Sequence, residues 1–486
     1  MSADANECDD KGTGMLQSPV VRVGLLLIVS AFFVRGAVCW RSLDQYTADP
    51  DAYRAIAETL GVTGVFGLTA ASGEIVATAF RPPLYPYVLS LCLVDQQLPN
   101  TAVAFVHTLL GVLAVLFTYL AGLSMLPRNA GVRGPGLAAF LVLIDPLLLR
   151  QSTIVMTETF ATTLVCIILW WWTAGRDRRH KLTFSLMLGG LLGLAFLIRP
   201  TFIVWAMLLI LGSCVIEIFG FTRGASHLGR DTSLTRRQQL LSVALSSFVA
   251  LVVLLVVVGG WALRNARSVG HPVWATTHGG YTLLLGNNPF FYDYLRSGSA
   301  DGKWDSASFQ VAYSHRYDGD PRTEKFWRHS WDGPRQIQDP AVVRVVTEHS
   351  DDRLAYESAK AVISRQPIMF LWSAVVRVFR LWSPFPHSAE GRTSWLLTIV
   401  GIYNCGLYVA MVIGCFRLGR MLFMPRWLPV LALFLTLSAV HACYWSNIRM
   451  RAPAVPAMAL LAACALPLKR VEIQASGIAE REAVCG

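Results

Sequence analysis

The chain has 486 residues, of which 54% are hydrophobic and 15% charged, and its mean hydropathy is +0.47. A soluble domain carries about 25% charged residues, so composition excludes an ordinary soluble enzyme and indicates a polytopic membrane protein. The net charge of +11 lies largely in short basic clusters between apolar runs, as in cytoplasmic loops rather than on a nucleic-acid face. The ten cysteines are scattered singly, which argues against a disulfide framework or a zinc cluster.

Residues 1–20 are polar and mildly acidic and lack the basic start and small-residue cleavage site of a secretory signal. They read as a cytoplasmic tail, and the run from Val20 to Trp40 as a retained anchor. Apolar runs near the length of a membrane span follow at about 21–40, 101–125, 136–150, 156–174, 183–198, 201–221, 239–262, 394–416, 427–445 and 452–468. Arg128/Arg133, Arg176/Arg178/Arg179/Lys181, Arg223/Arg230/Arg236/Arg237 and Arg417/Arg420/Arg426 fill four of the connections, and Lys469/Arg470 follow the last run. Placing all five clusters in the cytoplasm gives one alternation with both termini inside, the second tail being 469–486. Residues 81–98 would invert that alternation if they crossed the membrane. With Pro82-Pro83 at their start and only 18 residues, they read as a helix lying in the outer interface.

Two long segments then face outward, 41–100 and 264–392. Within the second, Pro367–Phe385 places Arg377 and Arg380 on one face of an apolar segment with tryptophans, which predicts a second surface-lying helix. Residues 300–350 are polar and read as irregular.

Arginine recurs at the outward ends of these helices: Arg41, Arg150, Arg199, Arg264 and Arg449, with Arg81 and Arg451 close by. Charge at a membrane edge marks a functional site, and guanidinium is well shaped to hold phosphate. Asp49, in ADPDAYRAIAETL, stands ahead of Tyr53, Ala57 and Leu60 at helical spacing. It could cap that helix, with Pro50 in the first position and Asp51 as a first-turn acid; it could equally serve chemistry. Asp145, Arg150 and Glu158 surround a predicted turn, where pairing of Arg150 with Glu158 is the structural reading. Arg81 and Tyr85 in RPPLYP could meet a lipid headgroup. Asn287 and Asn288 in LLLGNNP suit sugar hydroxyls, although Asn-Pro is also a turn.

As an ordered set, ADPDAYRAIAETL, RPPLYP, TETF, LGLAFLIRPT, LLLGNNP, DRLAYESAKAVISRQPIMF, RLWSPFP and RMRAPAVPAMALLAA resemble the membrane glycosyltransferases of the GT-C superfamily. The branch is that of the protein mannosyltransferase-like and aminoarabinose transferase-like enzymes, glycosyltransferase family 39-like. The resemblance runs from about residue 22 to 468. It implies an all-α polytopic integral membrane protein: a GT-C-like bundle of about 10–11 transmembrane helices over 21–468, with interfacial helices and a large outer loop. It implies a multi-pass protein of the cytoplasmic membrane whose active site faces away from the cytoplasm. The activity implied is transfer of a hexosyl or pentosyl group from a polyprenyl-phosphate-linked donor to a lipid, glycan or protein acceptor by inverting displacement.

The family's acid four residues before a tyrosine falls on Asp49 and Tyr53, making Asp49 the leading catalytic candidate and Asp51 the second. Glu158 matches an acid that in relatives helps the acceptor or a metal. Arg81, Arg150, Arg199, Arg264, Arg449 and Arg451 become donor-phosphate candidates, and Tyr53, Tyr85, Asn287 and Asn288 substrate contacts. The Asp-Pro-Asp order departs from the adjacent Asp-Glu of many protein mannosyltransferases, which speaks against protein O-mannosylation. Chemically, a base deprotonates the acceptor, the sugar gains oxocarbenium character, and arginines take up charge on the departing phosphate. No cofactor is required by the sequence and no nucleic acid is expected; the outer acids could bind a divalent metal ion, but three acids without a defined ligand spacing make no metal prediction. A flippase or transporter of lipid-linked sugars is the alternative, but it calls for midplane polar groups and related halves.

Overall fold

The computed structural model describes residues 18–175, 182–218, 236–297, 304–328, 346–386 and 394–466. The tails, and the basic clusters at 176–181, 223, 230 and 469–470, lie outside the described residues. The chain is an all-α polytopic membrane protein with one small hairpin, and each apolar run carries a helix. These are α1 (Pro19–Trp40), α2 (Tyr53–Thr63), α3 (Leu84–Ser90), α4 (Asn100–Met125), α5 (Arg133–Ile144), α6 (Pro146–Gln151) and α7 (Glu158–Ala174). There follow α8 (Leu182–Ile198), α9 (Phe202–Ile218), α10 (Arg236–Ser268), α11 (Gly279–Gly286), α12 (Pro289–Arg296), α13 (Ala307–Ser314) and α14 (Glu324–Arg328). The last are α15 (Glu348–Arg365), α16 (Pro367–Trp382), α17 (Ser394–Leu418), α18 (Leu428–Cys443) and α19 (Val455–Ala463).

Among the described residues, five helices are long and apolar enough to span a bilayer: α1, α4, α10, α17 and α18, the last counted from Pro425. Four shorter apolar helices, α5, α7, α8 and α9, accompany them. Burial sorts these helices into layers. Helix α4 is more than half buried, whereas α1, α10 and α17 turn most of their apolar side chains outward. Leu26, Phe33, Val256 and Phe416 are among the exposed ones, the pattern of a lipid-facing perimeter. All nine residues of α19 are buried, so it is an interior post, apolar on every side. Small residues let backbones approach: a Cβ on Gly189 of α8 would lie 2.6 Å from the Ala250 carbonyl of α10, the close contact that favours glycine at membrane helix interfaces.

The two long interhelical segments meet at one end of the bundle, here called the cap end. Helix α3 has seven residues, about 10 Å, and does not cross. Helix α16 follows α15 after a bend of 110° at Pro367. It exposes Ile368, Leu371, Val375 and Phe379 and buries Ser373, Val376, Arg377 and Arg380, an amphipathic arrangement with both arginines on the inner face. Strands Gly67–Thr69 and Ile75–Ala77 pair antiparallel around a turn in which Gly73 takes φ +85°. This hairpin was not anticipated, since three-residue strands are too short to show an alternation. Residues 304–328, expected to be irregular, contain α13 and α14 and pack Phe309 against Phe326 and Trp327.

Candidate active site

Five charged side chains from five stretches of the chain form a line at the cap end. The first stretch leads into α2 through Asp49-Pro50-Asp51. Ala52 adopts a left-handed conformation (φ 59°), which costs about 1 kcal/mol for a residue with a Cβ and turns the preceding acids inward. Asp49 Oδ2 accepts from the Ala55 amide at 2.9 Å, but the N-cap of α2 is Ala52 and the helix begins at Tyr53, so Asp49 does not take the expected capping position and Pro50 and Asp51 precede the first turn. The other Asp49 oxygen, Oδ1, is buried without a hydrogen-bond partner.

Asp51 is held differently. Arg81, which follows the hairpin, donates from Nη2 to Asp51 Oδ1 at 2.7 Å and from Nε to the Asp51 carbonyl at 2.8 Å. The same guanidinium lies 4.3 Å above the Phe80 ring and 5.7 Å from that of Tyr53. Glu158, the first residue of α7, is fully buried and sits where the helix dipole favours an acid. Its partner is Arg199, beyond the end of α8: Nη2 to Oε1 at 2.7 Å, with Nε donating to Thr157 Oγ1 at 3.1 Å. The expected pairing with Arg150 is therefore replaced. Arg150 instead donates to Gln45 Oε1 and Thr153 Oγ1, because the turn before α7 carries it to the other side. Glu158 Oε2 is buried and has no partner. Arg449 closes the line, with Nε 3.4 Å from Glu158 Oε1 and Nη2 3.9 Å from Asp51 Oδ2.

Tyr53 and Tyr85 are stacked edge to face at 5.3 Å beside this line, and the charges of both Glu158 and Asp49 reach the Tyr85 phenol. Burial pushes the Tyr53 phenol up to about 12 and Tyr85 well above its ordinary value, so both stay protonated. Tyr85 donates to His107 Nε2 at 2.7 Å, and His107 Nδ1 to the Ser152 carbonyl at 2.8 Å. That carbonyl also accepts from Tyr46 at 2.7 Å, which fixes the turn leading into Glu158.

The structure brings Asp51, Glu158, Arg81, Arg199 and Arg449 together, with Asp49, Tyr53 and Tyr85 adjoining. Other sequence candidates serve the framework. Arg264 donates to the Thr78 and Phe66 carbonyls at 2.6 and 2.7 Å. Arg451 is buried and donates to Tyr408 at 2.7 Å and to the Ser383 carbonyl at 2.5 Å. Asn287 donates to the Leu283 and Cys443 carbonyls, and Asn288 caps α12 through the Phe291 amide at 2.9 Å. Neither asparagine is exposed, so the sugar-contact expectation gives way to backbone capping. Buried polar groups seek the nearest backbone acceptors, and sequence spacing does not reveal which those are.

Two residues absent from the sequence reading also matter. His278 meets Phe80 edge to face at 4.9 Å, and burial, aided by Arg81, lowers it to about 3, leaving a neutral imidazole. Glu348 accepts from Thr78 Oγ1 at 2.6 Å, the Ala79 amide at 3.0 Å and Thr277 Oγ1. It thereby ties the segment that carries Arg81 to the second long loop. No local sequence signal marks either contact. Nearby, an apolar groove of about 580 Å³ is lined by Leu60, Phe66, Leu84, Leu197 and Trp261, with Arg264 at its wall. Among the described residues no group of three or more His, Cys, Asp or Glu is arranged to hold a metal ion.

Residues 80–221 match the family model described as dolichyl-phosphate-mannose-protein mannosyltransferase, a stretch that includes Arg81, Tyr85, Glu158 and Arg199. No curated protein sequence matches the chain. Among solved structures, oligosaccharyltransferase AglB of Archaeoglobus fulgidus, with an inhibitory peptide and a dolichol-phosphate, aligns over 91% of this chain and 50% of its own. The identity is 16% and the TM-score 0.48. ArnT of Cupriavidus metallidurans, bound to undecaprenyl phosphate, aligns over 88% of this chain and 77% of its own, at 14% identity and a TM-score of 0.37. The chain thus spans half the length of the archaeal enzyme, and likenesses this distant carry no residue roles.

Proposed function

We propose, for a chain of the GT-C superfamily matched to its mannosyltransferase family over residues 80–221, that this protein moves a sugar from a polyprenyl phosphate to an acceptor hydroxyl. The structures likened to it hold dolichol-phosphate and undecaprenyl phosphate, which supports a lipid phosphate as the leaving group. The observation that carries the reading is the line of three arginines and two acids, with Glu158 Oε2 in it and Asp49 Oδ1 beside it buried without a hydrogen-bond partner.

In the reaction, the acceptor oxygen attacks the anomeric carbon as the bond from that carbon to the phosphate oxygen breaks. Asp49 Oδ1 takes the acceptor's proton, its position fixed by the bond from Oδ2 to the Ala55 amide. Arg81, Arg199 and Arg449 stabilise the charge that collects on the departing polyprenyl phosphate, and one such donor is worth roughly 3 kcal/mol in the transition state. Tyr53, next to Arg81, lines the sugar's approach. The apolar groove beside Leu84 and Trp261 suits the first isoprene units of the chain. The cap end is proposed to face away from the cytoplasm: Arg417 in the last turn of α17 and Arg420 and Arg426 between α17 and α18 lie at the opposite end of α18 from Arg449.

The test is transfer of labelled sugar from a polyprenyl-phosphate pool by purified protein, wild type against Asp49→Asn. The reading predicts loss of turnover by about a hundredfold or more with donor binding kept. Unchanged turnover in the variant moves the base to Asp51 or Glu158. Lipid movement across the bilayer without transfer would establish a flippase instead.

A further inference from the structure

The three arginines of the line are not held alike. Arg81 makes two hydrogen bonds to Asp51, one to its side chain and one to its carbonyl. Arg199 makes three, to Glu158, Thr157 and the Met450 sulfur. Arg449 approaches its acids only at 3.4 and 3.9 Å, and its buried Nε has no hydrogen-bond partner. Its side chain is 32% exposed, against 13% for Arg199 and 11% for Arg81. The Arg449 backbone is nevertheless fixed: its amide donates to Asn447 Oδ1 at 3.1 Å, in a turn that runs directly into the buried post α19. Any rearrangement of Arg449 is therefore confined to its side chain.

Resting on the glycosyltransferase reading above, we propose that Arg449 exchanges partners. Without donor it bridges Asp51 and Glu158 and masks them; a phosphate ester arriving at the line draws it away and exposes both carboxylates. A guanidinium gains more from a bidentate phosphate at normal hydrogen-bond distance than from two contacts at 3.4 and 3.9 Å. Once it has moved, Asp51 Oδ2 and Glu158 lose their shared cation while Arg81 and Arg199 still hold one oxygen of each. Asp51 Oδ2, thus freed, and Glu158 Oε2, which has no hydrogen-bond partner at the outset, then accept hydroxyls of an incoming acceptor. The consequence is order: the donor binds first and creates the polar edge that the acceptor needs, so acceptor does not bind productively to the empty enzyme.

The exchange makes a prediction opposite to that of a simple charged pocket. The probe is undecaprenyl phosphate, titrated into purified full-length protein in nanodiscs. Arg449→Ala should weaken binding about tenfold, as should Arg449→Gln, which keeps the bulk of the side chain if alanine does not fold. Asp51→Asn and Glu158→Gln should each tighten it, by roughly three- to tenfold, since each removes a competitor for Arg449. Relief of repulsion alone could also tighten binding, so the double variants decide. With Arg449→Gln in place, Asp51→Asn and Glu158→Gln should change the affinity by less than about twofold. Equal tightening with and without Arg449 would overturn the exchange while leaving the donor reading intact, as would weaker binding in the acid variants. Absence of undecaprenyl phosphate binding by the wild type would overturn both.

Discussion

Glu348 offers a direct measure of how the second long loop holds the arginine line in place. Its carboxylate accepts from Thr78 Oγ1 and the Ala79 amide, three and two residues before Arg81, and from Thr277 Oγ1 in the second loop. Hydrogen bonds to a charged group contribute about 1.5–3 kcal/mol each. Burial opposes this: it raises the Glu348 carboxyl above its usual range despite those donors. The Thr277 amide also donates to the Ala79 carbonyl at 3.0 Å, a link that survives the loss of the side chain. Glu348→Ala leaves the buried Ala79 amide unpaired, at about 1–3 kcal/mol, and frees two hydroxyls to find water. The net local cost is about 3 kcal/mol, whereas Glu348→Gln, which can still accept, should cost about 1 kcal/mol. Amide hydrogen exchange reads this at Ala79 itself: protection should fall about a hundredfold in the alanine variant and several-fold in the glutamine variant. Ala79 protection equal to wild type in both variants would refute the idea that Glu348 secures this segment.

Two further outcomes follow from buried groups in the cap end. Burial lifts the Asp352 carboxyl to about 6 against an ordinary 3.8, so the folded chain binds its proton more tightly than the unfolded chain. Its stabilising contribution is complete below about pH 3.8 and disappears as pH rises through 6. The unfolding midpoint of Asp352→Asn should therefore gain on wild type between pH 4 and pH 7.5, and a constant difference would contradict the assignment. Arg377, fully buried, donates to the Ala442 carbonyl at 2.7 and 3.1 Å, to Ser373 Oγ at 2.7 Å and to the Gly286 carbonyl. Arg377→Met should destabilise by roughly 3 kcal/mol, and Arg377→Lys should not restore the wild-type midpoint, because one ammonium cannot span those acceptors.

Much of the fold was legible because membrane helices advertise themselves by length and apolarity. The run 452–468 was the least faithful: it read as a span, yet Ile448–Ala454 forms a 3-10 turn and only α19 continues as α-helix, prolines 453 and 456 shaping the junction. Asp49 reads from the sequence as a cap of α2 or as an acid near Tyr53, but Ala52 takes the N-cap position and Asp49 reaches the first turn only through Oδ2 to the Ala55 amide. The partner of Glu158 was not legible. Arg150 is eight residues away and Arg199 forty-one, and only packing of α8 beside α7 puts the distant one in reach. Arg264 and Arg451 carried the same end-of-helix signature as Arg449 yet turn to backbone carbonyls. The signature records that an arginine stands at a helix end. Which acceptor it meets depends on segments hundreds of residues distant, as with Arg264 and Phe66.

What separates a transferase from a lipid carrier is whether the phosphate–sugar bond of the donor is broken at this line of charges. Purified protein in liposomes, supplied with a polyprenyl-phosphate sugar labelled in the sugar and with a mixed acceptor fraction, should release polyprenyl phosphate, followed by ³¹P NMR. It should appear mole for mole with label in the acceptor, and Asp49→Asn should release neither. Donor that remains intact in every acceptor mixture, while its labelled headgroup moves from one leaflet to the other, would contradict the transferase and leave a lipid carrier in its place.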